Sequence, residues 1–184
     1  MRTSEIQLDA IGEYATVQGW VHRTRDHGGL TFVDIRDYDG IVQCVFDTYT
    51  GDVDYHHLRD ESAVKVEGTV RVRPEGTDNP DLATGEVEIE VEFIEVLNES
   101  AILPFKVFAE DEEYTPSLEQ RLKYRYLDLR RDENQKMLKL RSDLMHFVRC
   151  EMRKDNFLEV HTPILTAPSP EGARDYIVPS RLHP

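Results

Sequence analysis

Glu86-Val87-Glu88-Ile89-Glu90-Val91-Glu92-Phe93 is the stretch that decides the fold. Val87, Ile89, Val91 and Phe93 alternate with four glutamates. A period of two marks a strand with one face on a core and the other in water. On that pattern Glu88, taken alone, is solvated surface. Working back toward the N-terminus, the same kind of signal recurs four times. Ala63–Val72 alternates, Ile41–Phe46 is an apolar run, Leu30–Ile35 alternates, and Tyr14–Val21 is rich in β-branched and aromatic residues. Gly28-Gly29, Asp39-Gly40 and the Pro/Gly-rich stretch from Pro74 to Gly85 supply turns between them. Residues 52–60 are polar and read as a short helix. Five strands with one short helix between the third and fourth predict a five-stranded OB barrel. A small β-sandwich is the alternative, and the helix position favours the barrel.

Working forward, Asn98 to Thr115 reads as a connector with Pro104 and the acidic run Glu110-Asp111-Glu112-Glu113. Ser117 is an N-cap with Gln120 as its box partner, and the helix Leu118–Arg131 comes next. A second helix spans roughly Glu133–Asp155, with Met137, Leu140, Leu144, Phe147, Val148 and Met152 on one stripe. Phe157 to Thr162 reads as a strand that ends at Pro163. From Thr166 the chain is loop-like, and its ending at Pro184 reads as a cut. The domain division is therefore a barrel over 1–100, a linker over 101–116 and a helical and α/β piece over 117–184.

The formal net charge is −14. Residues 1–100 hold 8 Lys and Arg against 22 Asp and Glu, and so carry all of it; residues 101–184 hold 14 of each. Phosphate contacts need cations, so an RNA partner must use a local basic strip. Arg23, Arg25 and Arg36, then Arg71 and Arg73, are the residues available for one. No apolar run approaches the roughly 20 residues of a membrane helix, and the N-terminus lacks the apolar core of a signal peptide. A cytoplasmic protein without a membrane partner is expected. Cys44 and Cys150 lie far apart among apolar neighbours and read as two buried free thiols. No Cys or His spacing suggests a metal, and no Walker loop or GxGxxG is present.

An OB barrel binds single-stranded nucleic acid across its first three strands by base stacking and edge hydrogen bonds. Phe32 is the ring placed to stack on a base, with core burial as the alternative; Thr31, Val33 and Ile35 occupy the opposite face and can supply the core. Gln43 is a polar residue in an apolar strand, either a barrel-exterior position or a reader of a base edge. Arg23 and Arg25 can meet phosphates, or pair with Asp26 or Asp34. Glu171, Arg174 and Asp175 lie in a Pro/Gly loop that is either a mobile lid over a polar ligand or ordinary surface.

Together these stretches resemble a known family. Gly19-Trp20-Val21-His22-Arg23-Thr24-Arg25-Asp26 with Phe32-Val33-Asp34-Ile35-Arg36-Asp37 resembles the anticodon-binding domain of class IIb aminoacyl-tRNA synthetases. Arg121 to Arg131 looks like the element that joins it to the catalytic domain, and Phe157 to Pro163 like class II motif 1. Pro170-Glu171-Gly172-Ala173-Arg174-Asp175-Tyr176 with Val178-Pro179-Ser180-Arg181 resembles the bacterial aspartyl branch.

The resemblance implies an OB barrel followed by the start of a class II catalytic domain. It implies that Phe32 stacks on the middle anticodon base, Gln43 reads its edge, Glu88 lies near an outer base and Arg25 contacts the anticodon. Pro163 matches the family's homodimer interface, and Glu171 a flipping loop that closes on the substrate's ammonium. His27 stands where enzymes restricted to tRNA-Asp often carry an apolar residue, which implies charging of tRNA-Asn as well. The partners implied are tRNA-Asp, with tRNA-Asn under the His27 reading, and a second copy of the chain. ATP and Mg²⁺ belong to the intact enzyme; the motif 2 and 3 residues that hold them come after Pro184, so no catalytic residue is expected in this piece. The alternative is a stand-alone OB-type RNA-binding or dimerisation module derived from a synthetase.

Overall fold

The structure is a computed structural model that describes residues 1–47, 58–108, 114–165 and 178–182. The short helix expected over 52–60 lies mostly outside these residues, as do Glu171, Arg174 and Asp175. The chain divides into two compact units, Met1–Arg131 and Asp132–Pro184.

In the first unit, β1 (Tyr14–Asp26), β2 (Leu30–Arg36), β3 (Ile41–Asp47), β4 (Ala63–Val72) and β5 (Val87–Asn98) close into a barrel in the order β1-β2-β3-β5-β4. Every pairing is antiparallel except β3 with β5, which is parallel. The short β3–β5 pairing, Cys44 with Ile89 and Val45 with Glu90, closes the sheet on itself. Alternate residues fill the inside: Val17 and Val21, Val33 and Ile35, Val42, Cys44 and Phe46, Val64, Val66 and Val70, and Ile89 are all at most 1% exposed. Ile6 and Ala10, from two single-turn 3-10 helices (Thr3–Glu5 and Leu8–Ala10), join the same core.

Two glycines are required where strands approach closely. A Cβ on Gly19 would lie 2.4 Å from the carbonyl oxygen of Arg36, and one on Gly68 2.1 Å from that of Glu90. The register shifts between Glu67 and Gly68, where Phe93 and then Val91 are the partners, so Glu92 is the extra residue of a bulge. This corrects the simple alternation. Val87, Ile89 and Val91 point inward as expected, but beyond the bulge Ile94 is buried and Phe93 is 51% exposed. One inserted residue exchanges the two faces of a strand.

The first hairpin turns at Gly28 (φ 62°) and Gly29 (φ 134°), closed by the His27 N–H donating to the Leu30 carbonyl at 3.0 Å. The second turns at Asp37–Gly40 without a left-handed glycine. Asp37 Oδ1 accepts instead from the N–H groups of Asp39 (2.7 Å) and Gly40 (3.0 Å), and the carboxylate also takes the Thr3 N–H (2.9 Å) and hydroxyl (2.6 Å). Burial opposes ionisation of Asp37, but these four bonds outweigh it and hold the carboxyl below its ordinary value.

After the barrel the chain packs a second small core of Phe105, Val107 and Leu127, with Leu103, Phe108 and Tyr124 against it. The helix expected over Leu118–Arg131 is broken into α1 (Leu118–Lys123) and α2 (Arg125–Asp128). The Ser117–Gln120 capping box is present. Fully buried Asp128 accepts from Arg121 Nε at 2.8 Å and from Arg125. In a continuous helix positions 121 and 128 stand about 10.5 Å apart along the axis; the break at Tyr124 lets both arginines converge on one carboxylate. Glu61, 8% exposed, accepts from Arg36 Nη2 at 2.8 and 3.1 Å and from Arg130. The Arg36 guanidinium lies over Phe108 at 4.3 Å and that of Arg130 over Trp20 at 5.0 Å.

The second unit contains α3 (Asp132–Lys154), which ends at Asn156 in the left-handed conformation (φ 63°). The expected stripe is present and open, from Met137 (63% exposed) to Met152 (43%). Phe157 to Thr162 is not a strand: among the described residues no strand pairs with it, and a strand exists only by pairing. Arg149 Nε ties it to α3 through Glu159 at 3.0 and 3.1 Å. Cys150 is exposed, contrary to the expectation of two buried thiols, because among the described residues no apolar layer covers its helix. Cys44 is buried, and burial with the nearby carboxylates of Asp34 and Glu88 pushes its thiol far up. Among the described residues no helix is long and apolar enough to cross a membrane.

Candidate nucleic-acid interface

Because Thr31, Val33 and Ile35 face the core, the even-numbered residues of β2 stand on the outside of the barrel. Phe32 is there, half-buried, with Asp34 beside it. The register sets Phe32 opposite Arg25 of β1 and Val45 of β3, and Asp34 opposite Gln43. His27, at the hairpin tip, meets Phe32 edge-on with ring centroids 5.6 Å apart and planes at 75°. On the far side Arg71 of β4 stands opposite Glu88 of β5.

The polar side chains form one chain of hydrogen bonds across all five strands. Arg25 Nη2 donates to Asp34 at 2.8 and 3.0 Å and to Gln43 Oε1 at 3.0 Å. Gln43 Nε2 donates to Glu88 Oε2 at 2.8 Å. Arg71 Nε donates to Glu88 Oε1 at 2.9 Å, and its Nη1 to Glu90 at 2.6 Å. Glu88 is 1% exposed and Gln43 5%. The reading of Glu88 as solvated surface is therefore wrong. The bonds to Gln43 and Arg71 close over the carboxylate, and its burial is tolerable only because both oxygens are engaged.

Four of the five sequence candidates, Arg25, His27, Phe32 and Gln43, thus gather on one face with Glu88 at its edge. Pro163 lies in the other unit, exposed. What the sequence reading missed was the role of Asp34 and Arg71, which hold this row together; Arg71 entered it only as part of a basic strip. Asp34 entered the sequence reading only as a possible ion-pair partner; knowledge of strand register was the missing signal. Arg73, 7% exposed, donates from Nε to the Val87 carbonyl at 3.0 Å, while its Nη2 has no hydrogen-bond partner among the described residues. Burial lowers its pKa, against the opposing pull of Glu88 and Asp34. The basic strip is consequently not a row of free cations: Arg25, Arg36 and Arg71 all carry carboxylate partners. A face of this kind suits base recognition more than phosphate neutralisation. Among the described residues no group of three or more His, Cys, Asp or Glu could hold a metal ion.

Residues 15–97 match the model of the OB-fold nucleic acid binding domain of the anticodon type, and residues 117–184 that of the class II tRNA synthetases (D, K and N). The chain belongs to the class II tRNA synthetases of this D, K and N group. Within the group it is similar to aspartate--tRNA(Asp/Asn) ligases. It is 51% identical over 175 residues to an aspartate--tRNA(Asp/Asn) ligase of Bradyrhizobium sp. (strain ORS 278), covering 95% of this chain and 29% of the relative. It is 49% identical over 181 residues to the enzyme of the same name from Phenylobacterium zucineum (strain HLK1), covering 98% of this chain and 30% of the relative. The chain thus spans less than a third of the length of these relatives. Among solved structures it resembles asparaginyl-tRNA synthetase from Pyrococcus horikoshii (TM-score 0.75, 29% identity, covering 90% of this chain and 38% of that one). The aspartyl tRNA synthetase from Entamoeba histolytica shares the fold (TM-score 0.77, 22% identity, 93% and 41% covered).

Proposed function

We propose that the outer face of the barrel reads the anticodon of tRNA-Asp, as one part of an aspartate–tRNA ligase. The observation that carries this is the convergence of a half-buried aromatic ring, Phe32, with a buried amide, Gln43, on adjacent strands of an OB barrel. The ring offers a stacking surface, and the amide offers both a donor and an acceptor to a base edge. Arg25 and His27 flank the ring, and Glu88 bounds the far side. The 51% identity to a relative named for tRNA(Asp/Asn) supports a partner set that includes tRNA-Asn, with His27 against Phe32 as the residue to examine. Equal affinity for stem-loops bearing GUC and GUU is the expected outcome; a large preference for GUC would remove the tRNA-Asn part.

In the intact enzyme ATP and Mg²⁺ would activate aspartate before its transfer to the terminal adenosine of the tRNA, with Glu171 closing on the substrate ammonium. A cytoplasmic location follows from that role. The open apolar stripe of α3 and the exposed Pro163 favour a homodimer. The test is binding of the chain to a tRNA-Asp anticodon stem-loop and to the same loop with its middle U replaced by a purine. The U loop should bind about 10-fold tighter or more and weaken with salt, and Phe32→Ala should cost about 5- to 150-fold, the worth of one base stack. Equal binding of both loops would end the anticodon reading.

A further inference from the structure

We propose that Asp34 is a positioning residue that locks the Gln43 amide in one orientation and so makes it select uracil over cytosine at the middle anticodon base. The inference rests on the anticodon reading above and adds to it a source of specificity that touches no base. A glutamine amide can rotate by half a turn and exchange its donor and acceptor ends. Uracil presents an acceptor and then a donor along positions 4 and 3 of its edge; cytosine presents a donor and then an acceptor. A free amide matches either base by turning over, so amide chemistry alone cannot separate the two pyrimidines. Separation requires an amide that cannot turn, facing a base that cannot slide.

The structure supplies both constraints. Gln43 Oε1 faces the Arg25 guanidinium at 3.0 Å and Nε2 faces the Glu88 carboxylate at 2.8 Å. Reversal would set the amide N–H groups against a cation and its oxygen against an anion, in a setting where Gln43 is 5% exposed. Among the described residues nothing else takes the second amide N–H or the second oxygen lone pair of Gln43, and these are the groups offered to a base. The lock depends on where the Arg25 guanidinium is held. Asp34 holds it, taking Nη2 at 2.8 and 3.0 Å from its place on β2 directly opposite Gln43. On the other side Arg71 Nε holds Glu88 at 2.9 Å. Stacking on Phe32 keeps the base from sliding by one edge position.

The experiment compares anticodon stem-loops with U, C or a purine at the middle position against the wild-type chain, Asp34→Asn and Asp34→Glu. The wild type should prefer U over C by about 10-fold or more, the discrimination expected of one well-placed bidentate contact. Asp34→Asn should bring that ratio to within about 3-fold while keeping both pyrimidines above the purine, and Asp34→Glu should restore it. If U is not preferred over the purine by the wild type, the anticodon reading itself fails. If the wild type prefers U over the purine but not over C, or if Asp34→Asn weakens both loops with the ratio intact, the base reading stands and the lock is overturned. Should Asp34→Asn fail to fold, the side-chain amide resonances of Gln43 in the wild type decide. A single amide pair protected from solvent exchange supports the lock, and a freely exchanging, averaged pair overturns it.

Discussion

Replacing Glu61 by glutamine keeps the side chain's shape and removes one charge at the point where the barrel is tied to the segment just after α2. Glu61 is 8% exposed and takes two hydrogen bonds from Arg36 of β2, at 2.8 and 3.1 Å, and one from Arg130. Arg36 is itself 9% exposed, so the substitution leaves a guanidinium buried against a neutral partner. Removing one member of a buried pair typically costs about 3–5 kcal/mol, most of it the penalty of the stranded charge. The contacts of Arg36 with Phe108 and of Arg130 with Trp20 offset part of this, so we expect about 3 kcal/mol. For a unit of this size that lowers the melting temperature by roughly 10 °C. The chain has a single tryptophan, and its ring lies 5.0 Å from the Arg130 guanidinium. Trp20 fluorescence during thermal or urea unfolding therefore reports both the global transition and this cluster. A loss of less than about 1 kcal/mol would refute the reasoning, since it would mean that the pair is solvated like a surface ion pair.

Gly68→Ala should destabilise the barrel by about 2 kcal/mol or more, because its Cβ would stand 2.1 Å from a backbone oxygen that cannot move without breaking the β4–β5 pairing; urea unfolding checks this. Asp37, with its carboxyl held below the ordinary value of 3.8, contributes stability that is complete above that value and is lost as pH falls through the lower folded value. The acid end of the stability curve should therefore flatten in Asp37→Asn, measured by melting temperature between about pH 5 and pH 2. A thiol reagent should modify Cys150 readily in the folded chain and leave Cys44 unreacted until unfolding, since burial and two nearby carboxylates keep the latter protonated.

The amino-acid sequence by itself determined the elements that rest on local pattern. Five strands were legible because β-branched alternation and glycine turns are local signals, and the Ser117–Gln120 box because capping is decided within one turn. The stripe on α3 followed from helical spacing. Phe32 as an outward ring was half legible, since Thr31, Val33 and Ile35 had to face one way and Phe32 the other. Only the tertiary structure decided the features that depend on register. A bulge at Glu92 turned Phe93 outward and Ile94 inward, against an alternation that was unbroken in the sequence. The parallel pairing of β3 with β5 set Gln43 beside Glu88, and the pairing of β4 with β5 set Arg71 across from it, which buried a glutamate that sequence places in water. The pairing of Arg25 with Asp34 was legible as one of two alternatives, because the two lie on neighbouring strands of one hairpin. The partner of Arg71 was beyond reach, because a charged side chain carries no mark of which carboxylate on a later strand the barrel will bring to it.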